Sequence, residues 1–435
     1  MDELFDLPPT EAGPAEPEGR GRPRLQRPQR NQITLRPSDL ESLLPADHRA
    51  RLVWAFVEGL DLAAFHARIK AVEGHSGRPP IDPAILVSLW LYATLEGVGS
   101  ARALDRLCEE HDAYRWLCGG VGVNHHTLAD FRVEQADLLD ALLVQSVAAL
   151  LSTGEVTLSR VAHDGIRVRA GAGAASFRRR ATLERALTEA DAQVEALKAE
   201  LDEDPSATSR RVAAARARAA TERADRVRRA LEQLPALEAA KRRNQKPPEE
   251  ARASTTDPEA RVMRLGDGGY RPAYNGQYTT AVDSGLVCGV AVTNIGSDLG
   301  QLAPAVDRIR AHYGRAPGEF LADGGYVSLA EIDDLSACGT TIYAPPMIRP
   351  RRAVSHHPTD SPAVAEWRAR MDSPEAQAIY RERAATAEWV NALARNRGLQ
   401  QFRVRGLDKV RSILLWFALA HNLDRTLALR VGAAG

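Results

Sequence analysis

Cysteine is scarce in this chain of 435 residues: there are four, Cys108, Cys118, Cys288 and Cys338, and no two form a C-x-x-C pair. That spacing excludes a disulfide framework and a zinc ribbon, and it fits a reducing compartment. Net charge is missing too. The 57 Lys and Arg are balanced by 57 Asp and Glu, so any attraction to a polyanion must come from where the charges sit. Long apolar runs are also lacking: AILVSLWLYATL (84–95) and ILLWFALA (413–420) are too short to span a bilayer. The opening MDELFDLPPTEAGP is acidic and proline-rich, the wrong character for a signal peptide. The expectation is a soluble, cytoplasmic protein with no membrane partner. What is present is ample apolar material, 44% of residues, in a chain long enough for roughly two to four folding units.

Residues 1–32 are rich in Pro and Gly without apolar periodicity and read as a disordered tail. Six acids fall in the first 18 residues, and Arg20, Arg22, Arg24, Arg27 and Arg30 follow. The tail is either simply solvated or an arm that lies on phosphates. From 33 to 152 the pattern is helical. Asp82 is placed as an N-cap, Pro83 at the first helical position and Gly97 as a stop. Ser100 and Thr127 are candidate caps of two further helices. Short helices with tight Gly-bearing turns are the pattern of a helix-turn-helix array, and equally of any small helical bundle. The paired His125 and His126 are neighbours that point in different directions, so a loop or capping role is favoured over metal.

At 153–177 the period changes, and VTLSRVAHDGIRVRA reads as a strand holding Asp164. Residues 178–245 interrupt it. Leu183, Leu187, Ala190, Val194, Leu197 and Leu201 follow four-and-three spacing, and Ala213, Ala217, Ala220, Ala224, Val227, Leu231 and Leu234 repeat it after DEDPSATS. The pattern is an inserted antiparallel coiled-coil hairpin. Its charges are a solvated face, or else the basic second arm touches DNA.

The remainder, 246–435, alternates short β-like runs with helices and ends in helices. The core order (strand, insertion, hairpin, helix, strand, helix, strand, helix) is that of a mixed α/β, ribonuclease H-like sheet. In that order Asp164 ends one strand and Asp323, in FLADGGY, ends another. Strands lie about 5 Å apart, so two such carboxylates can share divalent metal. Each is followed by glycine, Gly165 and Gly324, which is read as room for a bulky substrate near the backbone. A third carboxylate, Glu388, falls on a C-terminal helix with Arg395 two turns on along the same face. Between 381 and 411 there are eight basic residues, among them Arg397, Arg403 and Arg405, against three acids. Positive charge is thus concentrated beside the carboxylates, as phosphodiester chemistry requires. Asp283 reads as a turn residue, Glu382 lacks a basic residue one heptad on, and His163 alternates to the far side of the strand from Asp164.

The tetrapeptide DGGY occurs twice, at 267–270 and 323–326. Asp267 follows VMRLG and precedes Arg271-Pro272, which would interrupt any strand; it reads as a turn. Asp323 follows apolar GEFLA and is the copy expected to do chemistry.

Asp164 in AHDGIRVRA, Asp323 in FLADGGY, and Tyr380-x-x-Arg383 followed by Glu388, Arg395 and NRGLQQFRVRGLDKVR resemble the DDE transposases of bacterial insertion sequences. The resemblance runs from about 35 to 425. Arg395 stands where lysine is usual, and the 159-residue interval from Asp164 to Asp323 is lengthened by the hairpin. It implies two Mg²⁺ ions, with Mn²⁺ a substitute, held by Asp164, Asp323 and Glu388 for cleavage and strand transfer. Tyr380, Arg383 and Arg395 would position the phosphate backbone, with Arg397, Arg403 and Arg405 also on DNA. The implied partner is double-stranded DNA, bound by a homodimer associated with the nucleoid. A catalytically silent or domesticated DNA-binding protein, and a ribonuclease H-like nuclease without strand transfer, remain as alternatives.

Overall fold

The computed structural model describes residues 39–72, 79–203, 207–346 and 359–433, with the isolated positions 28 and 31. The expected tail at 1–32 therefore lies almost wholly outside the described residues.

Seven helices open the described chain: α1 (Arg49–Glu58), α2 (Ala63–His66), α3 (Pro83–Leu95), α4 (Ala101–Glu110), α5 (Asp112–Cys118), α6 (His125–Glu134) and α7 (Ala136–Ser152). Asp82 caps α3 by accepting the Ala84 N–H at 2.8 Å, and Ser100 caps α4 through the Ala103 N–H. The cap of α6 is Asn124, not Thr127. Its Oδ1 takes the N–H groups of both His126 and Thr127 at 3.0 Å, a bond that an earlier, shorter turn makes available before Thr127 is reached. His125 sits in the first turn and contacts Asp105 at 3.1 Å.

Helix α3 is apolar all round and buried almost throughout, the signature of a helix surrounded by protein. Much of its cover comes from the far end of the chain. The last helix, α15 (Leu407–Ala433), packs on α3, α6 and α7, and also on the sheet. Leu414, Leu415, Trp416, Phe417 and Leu419 on it are buried, each contributing about 1.5–3 kcal/mol of apolar burial. Trp416 donates to the Arg132 carbonyl at 3.0 Å, and Arg49 of α1 pairs with Asp424 at 2.6 Å. The N-terminal helices and the sheet thus share one apolar core.

Eight strands follow: β1 (Arg160–Arg169), β2 (Phe177–Arg178), β3 (Ala253–Ser254), β4 (Arg261–Arg264), β5 (Tyr270–Ala281), β6 (Val287–Thr293), β7 (Glu319–Leu321) and β8 (Thr341–Tyr343). Strand β1 lies between β5, antiparallel, and β7, parallel; β8 extends the parallel side. Strands β4 and β6 pair successive stretches of the same edge of β5, since Ala273 faces both Arg169 of β1 and Arg261 of β4. The result is a six-stranded mixed sheet whose order β6-β5-β1-β7-β8 is consistent with a ribonuclease H-like core beside the helical N-terminal region. Helices α10 (Leu302–Tyr313), α11 (Leu329–Ala337), α12 (Pro362–Met371), α13 (Pro374–Arg383) and α14 (Trp389–Asn396) complete it.

Strand β5 runs through Pro272, against expectation. Pro272 can give its carbonyl to the Ala170 N–H at 2.8 Å but has no N–H to return. The Ala170 carbonyl takes the Gln401 side-chain amide instead, at 3.2 Å. A partner distant in sequence supplies the missing donor, so the strand is not interrupted.

Helices α8 (Arg180–Glu203) and α9 (Ala207–Arg243) form the inserted pair. Leu183, Ala190 and Val194 of the first are buried with Ala220, Ala224, Val227 and Leu234 of the second, as the spacing requires.

Candidate active site

Asp164 sits in the middle of β1 rather than at its end. The parallel pairing of β1 with β7 stops earlier, at Ala162 opposite Leu321. Two residues further along each chain stand Asp164 and Asp323, in register but beyond the last paired residues of the two strands. Asp323 lies just past β7, where its carbonyl opens a short 3₁₀ turn, Gly324–Tyr326. It is exposed and has no ion-pair partner among the described residues.

The Asp164 carboxylate is held from three directions. Its own Oδ1 accepts the Gly165 N–H at 2.9 Å, Asn391 donates to Oδ2 at 3.1 Å, and the Arg383 guanidinium stands 3.5 Å from Oδ2. Arg383 also donates to Glu388 Oε1 at 2.6 Å, so one buried guanidinium joins two of the three carboxylates. Burial pushes the Asp164 pKa above the ordinary carboxylate value, and nearby Glu388 adds to the rise, although Arg383 and the two hydrogen bonds oppose it. Burial also works against the charge of Arg383, but Asp164, Tyr380 and Glu388 together hold its pKa above the usual guanidinium value. Tyr380 places its ring 5.7 Å from that guanidinium, and its own titration is raised by burial and by both Asp323 and Glu388. The tyrosine thereby sits within the field of the same carboxylates.

The backbone between Arg383 and Glu388 explains how they meet. Residues Ala384–Glu388 form a π-helical turn between α13 and α14. In an α-helix, residues five apart point well away from each other; the wider π turn closes an i-to-i+5 ring and stacks them. This device was not legible in the sequence, where Arg383 and Glu388 simply appear five apart.

Asn391 was also missed. It follows Glu388 by three positions, hence on the same helical face, and is 2% exposed. Besides bonding Asp164 it reaches the Gly165 carbonyl at 3.4 Å, and its own Oδ1 has no partner. The three-residue interval from Glu388 was the available signal.

The glycines after the aspartates answer to the protein and not to a substrate. A Cβ on Gly165 would lie 2.8 Å from Asn275 Oδ1 and 2.9 Å from Gln277 Nε2; one on Gly324 would lie 2.5 Å from the Pro345 carbonyl oxygen. His163 does face away from Asp164. It is buried, hydrogen-bonded to Thr279 at 2.8 Å, and held neutral with a pKa lowered to about 3 by burial. Asp283 accepts the Thr157 N–H at 2.7 Å, a turn-bracing role. Glu382 is taken by Arg160 at 2.8 Å, away from Arg383.

Among the basic candidates, Arg395, Arg403 and Arg405 are exposed and have no ion-pair partner among the described residues. Arg397 differs: its guanidinium is bound to Asp424 inside the fold.

Two family models match the chain. One, described as a transposase domain (DUF772), covers residues 38–134, and the other, a transposase DDE domain, covers 338–427. No curated protein and no solved structure matches. The second model spans Tyr380, Arg383, Glu388 and Arg395, while Asp164 and Asp323 lie between the two matched segments. The sheet carries aspartates and a helix beside it brings a glutamate, and both matched segments are transposase domains; together the matches support a DDE-type transposase of an insertion sequence. No single helix among the described residues is long and apolar enough to cross a membrane; the bent pair α6 and α7 reaches that length and composition only together.

Proposed function

We propose that this transposase cleaves phosphodiester bonds at the ends of its element and joins the freed ends to target duplex, with Asp164, Asp323 and Glu388 as its carboxylates. The observation that carries the reading is the junction of Asp164 and Glu388 through Arg383, with Asp323 two residues beyond the paired end of the neighbouring strand.

The donor set suits a divalent cation: three hard oxygen groups on rigid backbone. Asp164 is half-buried, with desolvation opposing its charge, and Asp323 is exposed with no ion-pair partner among the described residues. Among the described residues no group of three acidic, histidine or cysteine side chains already converges as a metal cage. Arg383 is the internal cation that keeps Asp164 and Glu388 together. When bound by these carboxylates, Mg²⁺ (or Mn²⁺) supplies Lewis-acid activation of an oxygen nucleophile and neutralises charge at phosphorus.

The chain's own groups do the rest. Gly165 N–H and Asn391 fix the Asp164 carboxylate, and Arg383 orients Glu388. Tyr380 and exposed Arg395, Arg403 and Arg405 meet the phosphate backbone, whereas Arg397 serves the fold through Asp424. In the first step a water oxygen attacks phosphorus and the 3′ oxygen leaves as a hydroxyl. In the second that 3′-hydroxyl attacks a target phosphodiester and the target strand's own 3′ oxygen leaves as a hydroxyl, so no protein–DNA bond forms. Two copies of the chain on DNA would serve the two ends.

The test is nicking of a plasmid carrying the gene's flanking DNA. Asp164→Asn, Asp323→Asn and Glu388→Gln should each abolish nicking, and so should chelation of divalent metal. Full activity of the Asp323 variant would sink the assignment. Joining of pre-cleaved ends separates strand transfer from plain hydrolysis; nicking without joining would leave a nuclease. DNA binding without nicking in the unaltered chain would leave a silent DNA-binding protein.

A further inference from the structure

The molecule's charge is distributed unevenly around the inserted helical pair. Residues 180–240, the two arms, carry twelve acids against eleven bases. The root, 178–179 with 241–252, carries seven bases against two acids. On the arms Arg228 is held by Asp225 and Asp191 and Arg226 by Glu222, while Arg185, Arg216, Arg218, Arg223 and Arg229 are exposed without an ion-pair partner among the described residues. Lys241 of the root pairs with Glu250. At the root Arg178, Arg179, Arg242, Arg243, Lys246 and Arg252 are exposed without an ion-pair partner among the described residues. Cations in the last turn of α9 complement its helix dipole, which accounts for Arg242 and Arg243. It does not account for Arg179, Lys246 and Arg252, which come from other segments and converge on one groove of about 590 Å³ that Lys241 and Arg261 also line.

Ala174 lines that groove, and its chain neighbours Gly171–Gly173 line a second groove of about 630 Å³ with Arg169, Gln400 and Arg403. Arg169 ends β1, five residues beyond Asp164 on the same strand. At about 3.3 Å per residue that is about 17 Å, the length of about five base pairs at 3.4 Å each.

Resting on the transposase reading, we propose that the root of the helical pair is a duplex-DNA backbone site, holding the flank of the element more than about five base pairs from the reacting phosphate. Recognition there is by phosphate charge, and the near-neutral arms take no part.

The experiment measures binding of the full chain to a random duplex of about 30 base pairs by fluorescence anisotropy across salt concentrations. Each lost phosphate contact lowers the slope of log K against log salt by about 0.9. The triple variant Arg179→Gln, Lys246→Gln, Arg252→Gln should lose about 2–3 from that slope and at least about tenfold in affinity near 0.1 M salt. The charge-keeping pair Arg179→Lys, Arg252→Lys should retain affinity, as should the arm variant Arg216→Gln, Arg218→Gln, Arg223→Gln. The proposal is overturned if the root triple keeps the wild-type slope, if the arm variant loses as much, or if single-stranded RNA binds more tightly than duplex. None of these readouts uses cleavage, so failure of the carboxylate assignment would be seen separately.

Discussion

The same four residues, DGGY, occur twice and meet opposite fates. At 267–270 they cap a hairpin between β4 and β5. Asp267 is exposed, accepts the Gly269 N–H at 2.9 Å and pairs with Arg271 at 2.5 Å, all within four residues. Those local bonds hold its pKa below the ordinary carboxylate value. Gly268 takes a left-handed φ of 80°, and Tyr270 is 72% exposed. At 323–326 two of the four, Gly324 and Tyr326, are packed against distant segments. Asp323 stands two residues past the paired end of β7, Gly324 has no room for a Cβ beside the Pro345 carbonyl, and Tyr326, 2% exposed, donates to Gln277 at 2.6 Å. A turn sequence is satisfied by its own backbone in one setting and packed against distant segments in the other.

The largest expected contrast is in activity. Asp323→Asn should abolish nicking, while Asp267→Asn leaves it unchanged; the reverse result would invert the comparison. Asn391→Ala should come next, at about 10–100-fold, the usual cost of losing a group that orients a metal-binding carboxylate. Its binding of random duplex in the salt titration should be unaltered, which a merely unfolded variant could not achieve.

Stability then separates the glycines and tyrosines. Gly324→Ala forces a Cβ to 2.5 Å from backbone and should cost about 2–4 kcal/mol in denaturant unfolding. Gly268→Ala meets nothing within 4 Å and should cost only the left-handed strain, about 1–2 kcal/mol. Tyr326→Phe leaves the Gln277 carbonyl oxygen short of a donor, at about 1–3 kcal/mol; Tyr270→Phe should be silent.

The smallest effect concerns pH. The Asp164 pKa is raised in the fold, so its stabilising share is fully present below the ordinary carboxylate value and is lost as pH rises through the raised one. At neutral pH its charge is a cost. Asp164→Asn should therefore melt no lower than the wild type at pH 7, and higher if anything, despite losing activity. A clear fall would mean that Arg383 stabilises this carboxylate more than burial penalises it.

Much of this was legible in residue order. Asp82 and Pro83 announced α3, the four-and-three spacing announced the helical pair, and apolar GEFLA before Asp323 distinguished it from Asp267. Thr127 misled because Asn124, three residues earlier, caps the same helix. Pro272 misled because Gln401, over a hundred residues away, supplies the donor that proline lacks.

Local pattern, then, determined the elements, since side-chain period, caps and turns act over a few residues. It also nominated Asp164, Asp323, Glu388 and their basic neighbours by residue type. Only the tertiary structure decided that a π turn sets Glu388 against Arg383, that Asn391 holds Asp164, and that Arg397 belongs to Asp424. The first is a departure from α-helical geometry that residue spacing does not announce, and the others depend on packing between separate segments, 227 residues apart for Asn391 and Asp164 and 27 for Arg397 and Asp424.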